Sequence, residues 1–191
     1  MDIRFLFFLI LFSINSYAQE SEADKAFQKA DGKSHLVIKP LAEAGDPEAQ
    51  YYLAMLYSWG RGIEKNSELS MHWMTKAAKN GELGALNMLA SFYFTGTNTE
   101  QNHDVALNLY TLLAKLGQRD TQLFIGKLLV DSPYYEKDLI SGVSWFLVAQ
   151  SYEPLNEKYQ LYYNQAIKQM SEIQINQAQK IASNLIKQIN K

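Results

Sequence analysis

The residue types that most often bind metals do not form a ligand set in this sequence. The three histidines, His35, His72 and His103, lie far apart along the chain, and no HExxH or comparable spacing connects them. No cysteine is present, so thiolate ligands, disulfides and a lipid-modified amino-terminal cysteine are excluded. We therefore predict no metal site and no cofactor, with His72 and His103 as solvent-facing residues of helices.

Two further patterns could be mistaken for reactive sites. Gly60-Arg61-Gly62 follows a predicted helix and lacks both the third glycine and the GK[ST] ending of a phosphate-binding loop, so we interpret it as a turn. Several carboxylates are scattered over predicted loops and predicted helix starts, where the helix dipole stabilises negative charge. Helix ends explain their positions better than a catalytic acid–base pair does. These carboxylates are Glu64, Glu68, Glu100, Asp104, Glu136 and Asp138.

The composition is that of an ordinary globular protein. The chain has 191 residues, of which 47% are hydrophobic and 20% are charged, and this length suffices for one well-buried domain. The formal net charge is −2, which provides no basic footprint for nucleic acid or anionic lipid. We expect neither class of partner.

Residues 1–18 have the features of a signal peptide. Arg4 contributes a positive charge, and Phe5 to Phe12 form an apolar core that is too short to span a bilayer of roughly 30 Å. Ser16-Tyr17-Ala18 then supplies the small residues that signal peptidase reads. We predict cleavage after Ala18 and a periplasmic or secreted chain of residues 19–191 without stable membrane insertion. A retained membrane anchor is the alternative.

The sequence repeats itself with a period of 36 residues. AQYYLAMLYSWG, from Ala49 to Gly60, aligns without a gap with ALNMLASFYFTG, from Ala85 to Gly96. The same spacing reaches a weaker third copy, and the predicted repeats span about 46–81, 82–117 and 118–153. The third copy keeps Ile125, Gly126, Leu129, Asp138, Trp145 and Ala149 in corresponding places.

Each repeat reads as a helical hairpin. Asp46 and Pro47 are suited to the N-cap and the first position of a helix, and an apolar stripe follows at helical spacing. Asn66, Asn102 and Asp138 are predicted N-caps of the second helices, which should end near Gly81 and Gly117. Small residues at Ala54, Ala90 and Gly126 would allow the two helices to approach closely. A single hairpin cannot bury its stripe, so the hairpins must stack.

The string from Ala49 to Gly81 resembles a Sel1 repeat, a relative of the tetratricopeptide repeat with a glycine-containing loop. In the second copy Asn98 replaces the second loop glycine, and asparagine tolerates the positive φ of that turn. In the third copy Ser132-Pro133-Tyr134 replaces the glycine loop. The resemblance implies an all-α fold, an α-solenoid of stacked helical hairpins with about three repeats in a single domain.

Both ends of the array also resemble this family. Pro40 to Gln50 is similar to the half-repeat that often precedes the first full unit. Residues 155–190 are predicted to form C-terminal capping helices, and Ser171 with Gln174 makes a capping box at the start of the last one. Its predicted covering face consists of Ala178, Ile181, Leu185 and Ile189.

Some exported Sel1-like proteins are linked to β-lactam binding or hydrolysis, so the resemblance raises the question of an acyl-transfer site. Neither an S-x-x-K nor a G-x-S-x-G motif occurs in the chain. We therefore predict no enzyme, and a β-lactamase-like or cell-wall amide hydrolase is only a minor alternative.

The resemblance implies binding of a protein or peptide on the concave face, which the first helix of each hairpin lines. This surface mixes aromatic, apolar and amide groups, which suits a peptide better than a polyanion. Trp59 flanks a loop and is a candidate for exposure, so binding of peptidoglycan or another glycan is the alternative function. The predicted partner-binding residues are Tyr51, Met55, Ser58, Trp59, Asn87, Ser91, Phe94, Leu123 and Lys127.

Overall fold

A computed structural model describes residues 20–29 and 32–191, and this part of the chain forms ten α-helices and no strand. The predicted signal peptide lies outside the described residues. The chain divides into two compact units, unit 1 up to Glu82 and unit 2 from Leu83 to Lys191. The division falls within two residues of the predicted boundary between the first and second repeats.

Within the described residues, unit 1 contains four helices and unit 2 contains six. The helices of unit 1 are α1 (Glu22–Lys29), α2 (Ser34–Glu43), α3 (Pro47–Trp59) and α4 (Ser67–Lys79). Those of unit 2 are α5 (Leu83–Thr95), α6 (His103–Lys115), α7 (Arg119–Val130), α8 (Leu139–Gln150), α9 (Glu157–Ile167) and α10 (Glu172–Ile189). Three successive pairs pack as hairpins, α3 with α4, α5 with α6 and α7 with α8.

The second helix of every hairpin begins at the predicted cap. The side-chain oxygens of Asn66, Asn102 and Asp138 accept hydrogen bonds from backbone N–H groups three residues later, at 2.9, 3.0 and 3.0 Å. Each bond satisfies an N–H group that has no partner within the helix. Asp46 caps α3 in the same way, by accepting from the N–H groups of Glu48 and Ala49.

The loop within each hairpin closes through the same backbone hydrogen bond. The N–H groups of Asn66, Asn102 and Asp138 donate to the carbonyls of Tyr57, Tyr93 and Leu129, at 2.9, 2.8 and 2.9 Å. Asn98 has φ of 61°, close to the 71° of Gly62, which confirms that asparagine preserves the turn of the second copy. The third loop contains no glycine, but it closes at the same point because the N–H group of Asp138 makes the equivalent bond.

Left-handed glycines end the second helices where the repeat predicts them. Gly45, Gly81 and Gly117 have φ of 104°, 93° and 84°, and their N–H groups donate to the carbonyls of the residues three positions earlier. A left-handed residue at this point pairs helix carbonyls that would otherwise lack donors. The match of Gly45 to the later glycines confirms that α2 is the predicted half-repeat.

The core of unit 1 is the apolar stripe of α3 packed against α1, α2 and α4. Ala49, Leu53 and Leu56 are fully buried, and Tyr57 is 9% exposed. Trp73 of α4 is partly buried against this cluster. The predicted stripe of the first repeat is confirmed, because these side chains lie at the three- and four-residue spacing that puts them on one helix face.

In unit 2 the helices α7 and α8 cross at two glycines. A Cβ atom on Gly126 would lie 2.8 Å from the ring of Phe146, and one on Gly142 would lie 2.6 Å from Val130 Cγ1. Phe146 itself is fully buried. Gly126 therefore has the predicted role of allowing close approach, and it accommodates an aromatic ring.

The C-terminal helices cover α8 in unit 2. Ser171 and Gln174 form the predicted capping box, and Ser144 Oγ of α8 donates to the carbonyl of Ala178 at 3.1 Å. The predicted covering face is wrong at Ile181, which is 39% exposed, whereas Ala182 is 3% exposed. The buried stripe of α10 runs through two alanines because they allow this helix to lie close to α8.

Candidate functional site

A groove on unit 2 lies between the first helices of the second and third hairpins, with α6 beneath it. A cavity of about 250 Å³ is lined by residues of α5, α6 and α7, and a neighbouring cavity of about 310 Å³ shares Asn87, Asp120 and Thr121 with it. We call the surface lined by the smaller cavity's residues the unit-2 groove. These residues are Asn87, Tyr110, Asp120, Thr121 and Phe124.

Aromatic rings form the wall of this groove. Phe124 contacts Tyr110 edge to face, with ring centroids 4.9 Å apart, and it also approaches Phe94 at 6.2 Å. Burial raises the pKa of Tyr110, and a hydrogen bond from Ser91 opposes that shift. A buried phenol with a hydrogen-bond partner places a polar group at a fixed position within an apolar wall.

Four aromatic residues gather at the Phe94 end of the groove, and we call them the aromatic cluster. The cluster consists of Phe94, His103, Tyr134 and Tyr135. Tyr134 stacks on His103 with centroids 4.7 Å apart, and Phe94 contacts both rings edge to face, at 5.4 and 5.2 Å. Phe94 thus links the cluster to the groove. Tyr134 is 54% exposed, so the cluster presents an aromatic surface to solvent.

Local structure in the third loop positions this cluster. The N–H group of Tyr134 donates to Ser132 Oγ at 3.1 Å, and the Tyr135 hydroxyl donates to the carbonyl of His103 at 2.7 Å. Burial, followed by the charges of Tyr110 and Asp104, raises the pKa of Tyr135 to about 12. The loop is therefore tied to the start of α6 by a neutral tyrosine at ordinary pH.

His103 does not face solvent as predicted. Its ring lies among the cluster's aromatic rings, and Nδ1 is buried without a hydrogen-bond partner in the described part of the chain. Tyr134 and Tyr135 of the third loop pack on its ring and leave His103 half-buried. By contrast, His72 is exposed and contacts the edge of Trp73, as expected of a surface residue.

The repeats match a known family. The family model described as "Sel1 repeat" matches residues 47–82 and 84–118, which are the first two hairpins. These two hairpins are therefore similar to Sel1 repeats. Proteins built from such repeats are generally protein–protein interaction modules. The third hairpin lies outside the two matched ranges.

The proteins to which this chain is similar come from a yeast and from bacteria. The chain is 36% identical over 65 residues to the chitin synthase regulator SKT5 of Saccharomyces cerevisiae, covering 34% of this chain and only 9% of the regulator's length. A crystal structure of a Sel1 repeat protein from Oxalobacter formigenes matches 70% of this chain and 98% of its own, at 24% identity and a TM-score of 0.57. This likeness shows the fold.

A second solved structure is a protective antigen of uropathogenic Escherichia coli strains with an SLR fold. It matches 82% of this chain and 41% of its own, at 21% identity and a TM-score of 0.47.

The partner-binding residues predicted in unit 2 differ in burial, and not all of them are accessible. Asn87 is exposed, while Ser91, Phe94 and Lys127 are half-buried. Leu123 is only 2% exposed and belongs to the core of unit 2, so its assignment to an accessible surface does not hold. The helix face turns inward at this residue because α7 packs against both α6 and α8.

The partner-binding residues predicted in unit 1 also differ in burial. Met55 and Ser58 are 5% and 6% exposed, so these two residues are not available to a partner. Tyr51 is half-buried, and burial, followed by the charge of Glu82, raises its pKa. Trp59 is 55% exposed at the end of α3, which confirms the predicted exposure.

Trp59 has an aromatic and cationic neighbourhood in unit 1. Its ring centroid lies 6.0 Å from that of Phe27, and the Arg61 guanidinium lies 5.3 Å above the Phe27 ring. Phe27 also stacks on Tyr52 at 4.4 Å, and the Tyr52 hydroxyl donates to Asp24. The side chain of Trp59 is therefore held beside an ordered layer of rings.

Sequence reasoning did not identify His103, Tyr110, Phe124, Tyr134 and Tyr135 as site residues. The available signal was the third loop, where Ser132-Pro133-Tyr134 departs from the glycine pattern of the other copies. Such local departures from a repeat are expected at functional or strained positions. The partners of that loop lie about 30 residues earlier in the chain, which no pattern in the loop itself indicates.

Within residues 20–29 and 32–191, no group of three or more His, Cys, Asp or Glu side chains could hold a metal ion. No helix in the same part of the chain is long and apolar enough to cross a membrane.

Proposed function

We propose that this protein is a periplasmic interaction module that binds a protein or peptide partner through the unit-2 groove and the aromatic cluster. The observation that carries the proposal is the continuous row of rings from Tyr110 through Phe124 and Phe94 to the exposed Tyr134. Aromatic side chains dominate the energetics of protein interfaces because they bury a large area with little loss of side-chain freedom.

The polar groups beside these rings suit a polypeptide. Asn87 and Thr121 line the cavity next to Phe124 and Asp120. An amide and a hydroxyl can each pair with a backbone N–H or C=O group of an extended segment. Apolar surface with a few fixed hydrogen-bonding groups is the composition expected of a specific recognition site.

The proposal is tested by retention of partners from an envelope extract on the immobilised protein. Tyr134→Ala and Asn87→Ala are suitable variants because both side chains are exposed. Tyr152→Ala is the matched control, since Tyr152 is an exposed tyrosine at the opposite end of α8. We expect the first two variants to lose specific partners that the control retains. Equal recovery by all three would remove the groove from the proposal.

The periplasmic location rests on the signal-peptide pattern of residues 1–18. Cell fractionation and amino-terminal sequencing of the protein made by its host would test it. We expect a periplasmic protein whose first residue is Gln19. A cytoplasmic protein that begins with Met1 would overturn the location and leave peptide binding to be judged separately.

Glycan binding by Trp59 is the second candidate function, and the exposed indole beside Phe27 and Arg61 favours it. Sugar rings stack on aromatic faces and hydrogen-bond with guanidinium groups. Sedimentation with purified cell-wall sacculi provides the test, with Trp59→Ala compared to Leu36→Ala, an exposed apolar residue of the same unit. Absence of the protein from the pellet would exclude this function.

A further inference from the structure

The third loop and its cap carry three acidic residues, Asp131, Glu136 and Asp138, against one basic residue, Lys137. Asp131 and Glu136 lie in the same loop as Tyr134, and both are exposed. They are within three residues of Tyr134, so their Cα atoms lie within about 11 Å of its Cα atom. Asp104 is close enough to raise the pKa of Tyr135, and Asp120 lines the groove. Four carboxylates therefore accompany the row of rings.

Three basic residues close in sequence to these carboxylates make other contacts within unit 2. The Arg119 guanidinium donates to the carbonyls of Ala149, Glu153 and Pro154 and pairs with the Glu153 carboxylate. Lys127 Nζ lies 5.4 Å above the ring of Tyr162, and Lys137 Nζ donates to Gln169. Among the described residues, none of the four carboxylates forms an ion pair.

The exposed ring adds a second feature that attracts cations. Tyr134 stacks on His103 and still exposes 54% of its surface, so part of the ring remains accessible. The face of an aromatic ring attracts a cation, and a planar guanidinium also stacks on it. Nearby carboxylates strengthen that attraction over distances up to about 10 Å at moderate ionic strength.

We infer that the partner of the unit-2 groove is a basic segment, with an arginine or lysine side chain placed on Tyr134 and an apolar side chain placed against Phe124. This inference rests on the proposed function and specifies the chemistry of its partner. The protein supplies the aromatic surface and the negative charge, and the partner supplies the cation.

The geometry also limits the spacing of the two partner residues. Phe94 lies 6.2 Å from Phe124 and 5.4 Å from Tyr134 between ring centroids, so Phe124 and Tyr134 are at most about 12 Å apart. An extended chain rises about 3.3–3.6 Å per residue. In an extended partner whose two side chains project directly at these rings, the basic and the apolar residue should therefore be separated by no more than about three positions.

Selection from a phage-displayed library of random short peptides on the protein purified from its host tests this inference. We expect the selected peptides to be enriched in arginine or lysine within about three positions of an aromatic or aliphatic residue. A selected peptide is then synthesised, and its Kd is measured against three variants. These are Tyr134→Ala, the double variant Asp131→Asn with Glu136→Gln, and the control double variant Glu157→Gln with Glu172→Gln.

The control pair removes the same charge from exposed residues at the starts of α9 and α10. We expect Kd to rise about three- to tenfold for the first two variants at low salt and to stay within twofold for the control. Raising the salt concentration should reduce the difference between the variants and the unmodified protein.

The possible outcomes separate the two proposals. Selected peptides that bind at the groove without enrichment in basic residues would overturn the inference and leave the interaction module standing. An equal rise in Kd for the control pair would also overturn it, because the effect would then follow net charge. Failure to select any peptide that distinguishes Tyr134→Ala from the unmodified protein would count against the proposed function itself.

Discussion

Buried glutamines 72 residues apart make the same hydrogen bond in the two units, but their second hydrogen bonds differ. Gln50 Nε2 donates to the carbonyl of Ala42 at 3.1 Å in unit 1, and Gln122 Nε2 donates to the carbonyl of Ala114 at 3.0 Å in unit 2. Gln50 Oε1 also accepts from Asn80 at 2.8 Å. Gln122 Oε1 is buried and has no partner in the described part of the chain.

The reason for the difference is the residue at the position equivalent to Asn80. In unit 2 that position is Tyr152, whose hydroxyl bonds to Asn190 of the capping region at 3.2 Å. Contacts to backbone carbonyls recur because the repeated helices present the same carbonyls at the same places. Contacts between two side chains depend on both residue identities, so they are lost when either position changes.

The loops of the first and third hairpins differ in the same manner. Both close through the backbone bond from the cap residue, but Gly60-Arg61-Gly62 is replaced by Ser132-Pro133-Tyr134. The backbone bond preserves the hairpin, which frees the loop side chains for other contacts. In unit 2 those side chains form the aromatic cluster, so the departure from the repeat coincides with the candidate site.

Gly126→Ala is expected to have the largest effect on stability, although the first two copies carry Ala54 and Ala90 at this position. The added Cβ would lie 2.8 Å from the Phe146 ring, and overpacking of this kind costs about 1–3 kcal/mol. The higher helix propensity of alanine offsets up to about 1 kcal/mol of that cost. Urea unfolding should therefore show a lower free energy of unfolding for the variant.

Phe146 provides the control for this prediction. Because its ring causes the clash, Gly126→Ala should be less destabilising in a Phe146→Leu background than in the unmodified protein. A Gly126→Ala variant that is as stable as the unmodified protein would show that the third hairpin tolerates the side chain found in the other two.

Replacement of the two glutamines by leucine sharpens the comparison directly, since Leu86 occupies this position in the second copy. Gln50→Leu removes two hydrogen bonds, at a net cost of about 1–2 kcal/mol. Gln122→Leu also removes a buried acceptor that has no partner within the described residues, so we expect a change near zero or a small stabilisation. Thermal unfolding of both variants would test this difference, and equal destabilisation would contradict it.

The N-caps provide a case in which the two hairpins should respond alike. Asn66→Ala and Asp138→Ala each remove one hydrogen bond to the first turn, of 2.9 and 3.0 Å. Each variant should lower the free energy of unfolding by about 1 kcal/mol. A much larger loss for Asp138→Ala would indicate that the cap also positions the aromatic cluster.

The last expected difference appears only at alkaline pH. The pKa of Tyr135 is raised from 10.0 to about 12 in the folded chain, chiefly by burial. The folded state therefore binds this proton more tightly than the unfolded state, and its contribution to stability is complete below pH 10 and lost as pH rises towards 12. Tyr135→Phe should lose less stability between pH 10 and 12 than the unmodified protein, as measured by circular dichroism.

Most of the fold followed from sequence because its signals are local. Asn66, Asn102 and Asp138 are good cap types directly before apolar helices, and each one caps its helix through a residue three positions away. Gly81 and Gly117 end helices through bonds to residues only a few positions earlier. The residues needed for such interactions lie within one turn of each other, so a sequence pattern contains them completely.

The candidate site was only partly predictable, and its errors have a common origin. Asn87, Ser91 and Phe94 share a face of α5 that is not fully buried, since a helical period determines which residues share a face. Met55 and Leu123 were assigned to the same type of face but are buried. Whether a helix residue is covered depends on the neighbouring helices, and the helical period of one segment contains no information about them.

The sequence alone determined where the second helices of the hairpins begin, how often the hairpin recurs and which positions must be small. Only the tertiary structure decided that Tyr134, His103 and Phe94 meet and that Ile181 faces water while Ala182 is covered. It also decided that the side-chain carbonyl of Gln122 has no hydrogen-bond partner among the described residues. The physical reason is the separation along the sequence between the residues that interact. Caps and turns form between residues a few positions apart, whereas these contacts and exposures depend on packing between residues of different helices and loops.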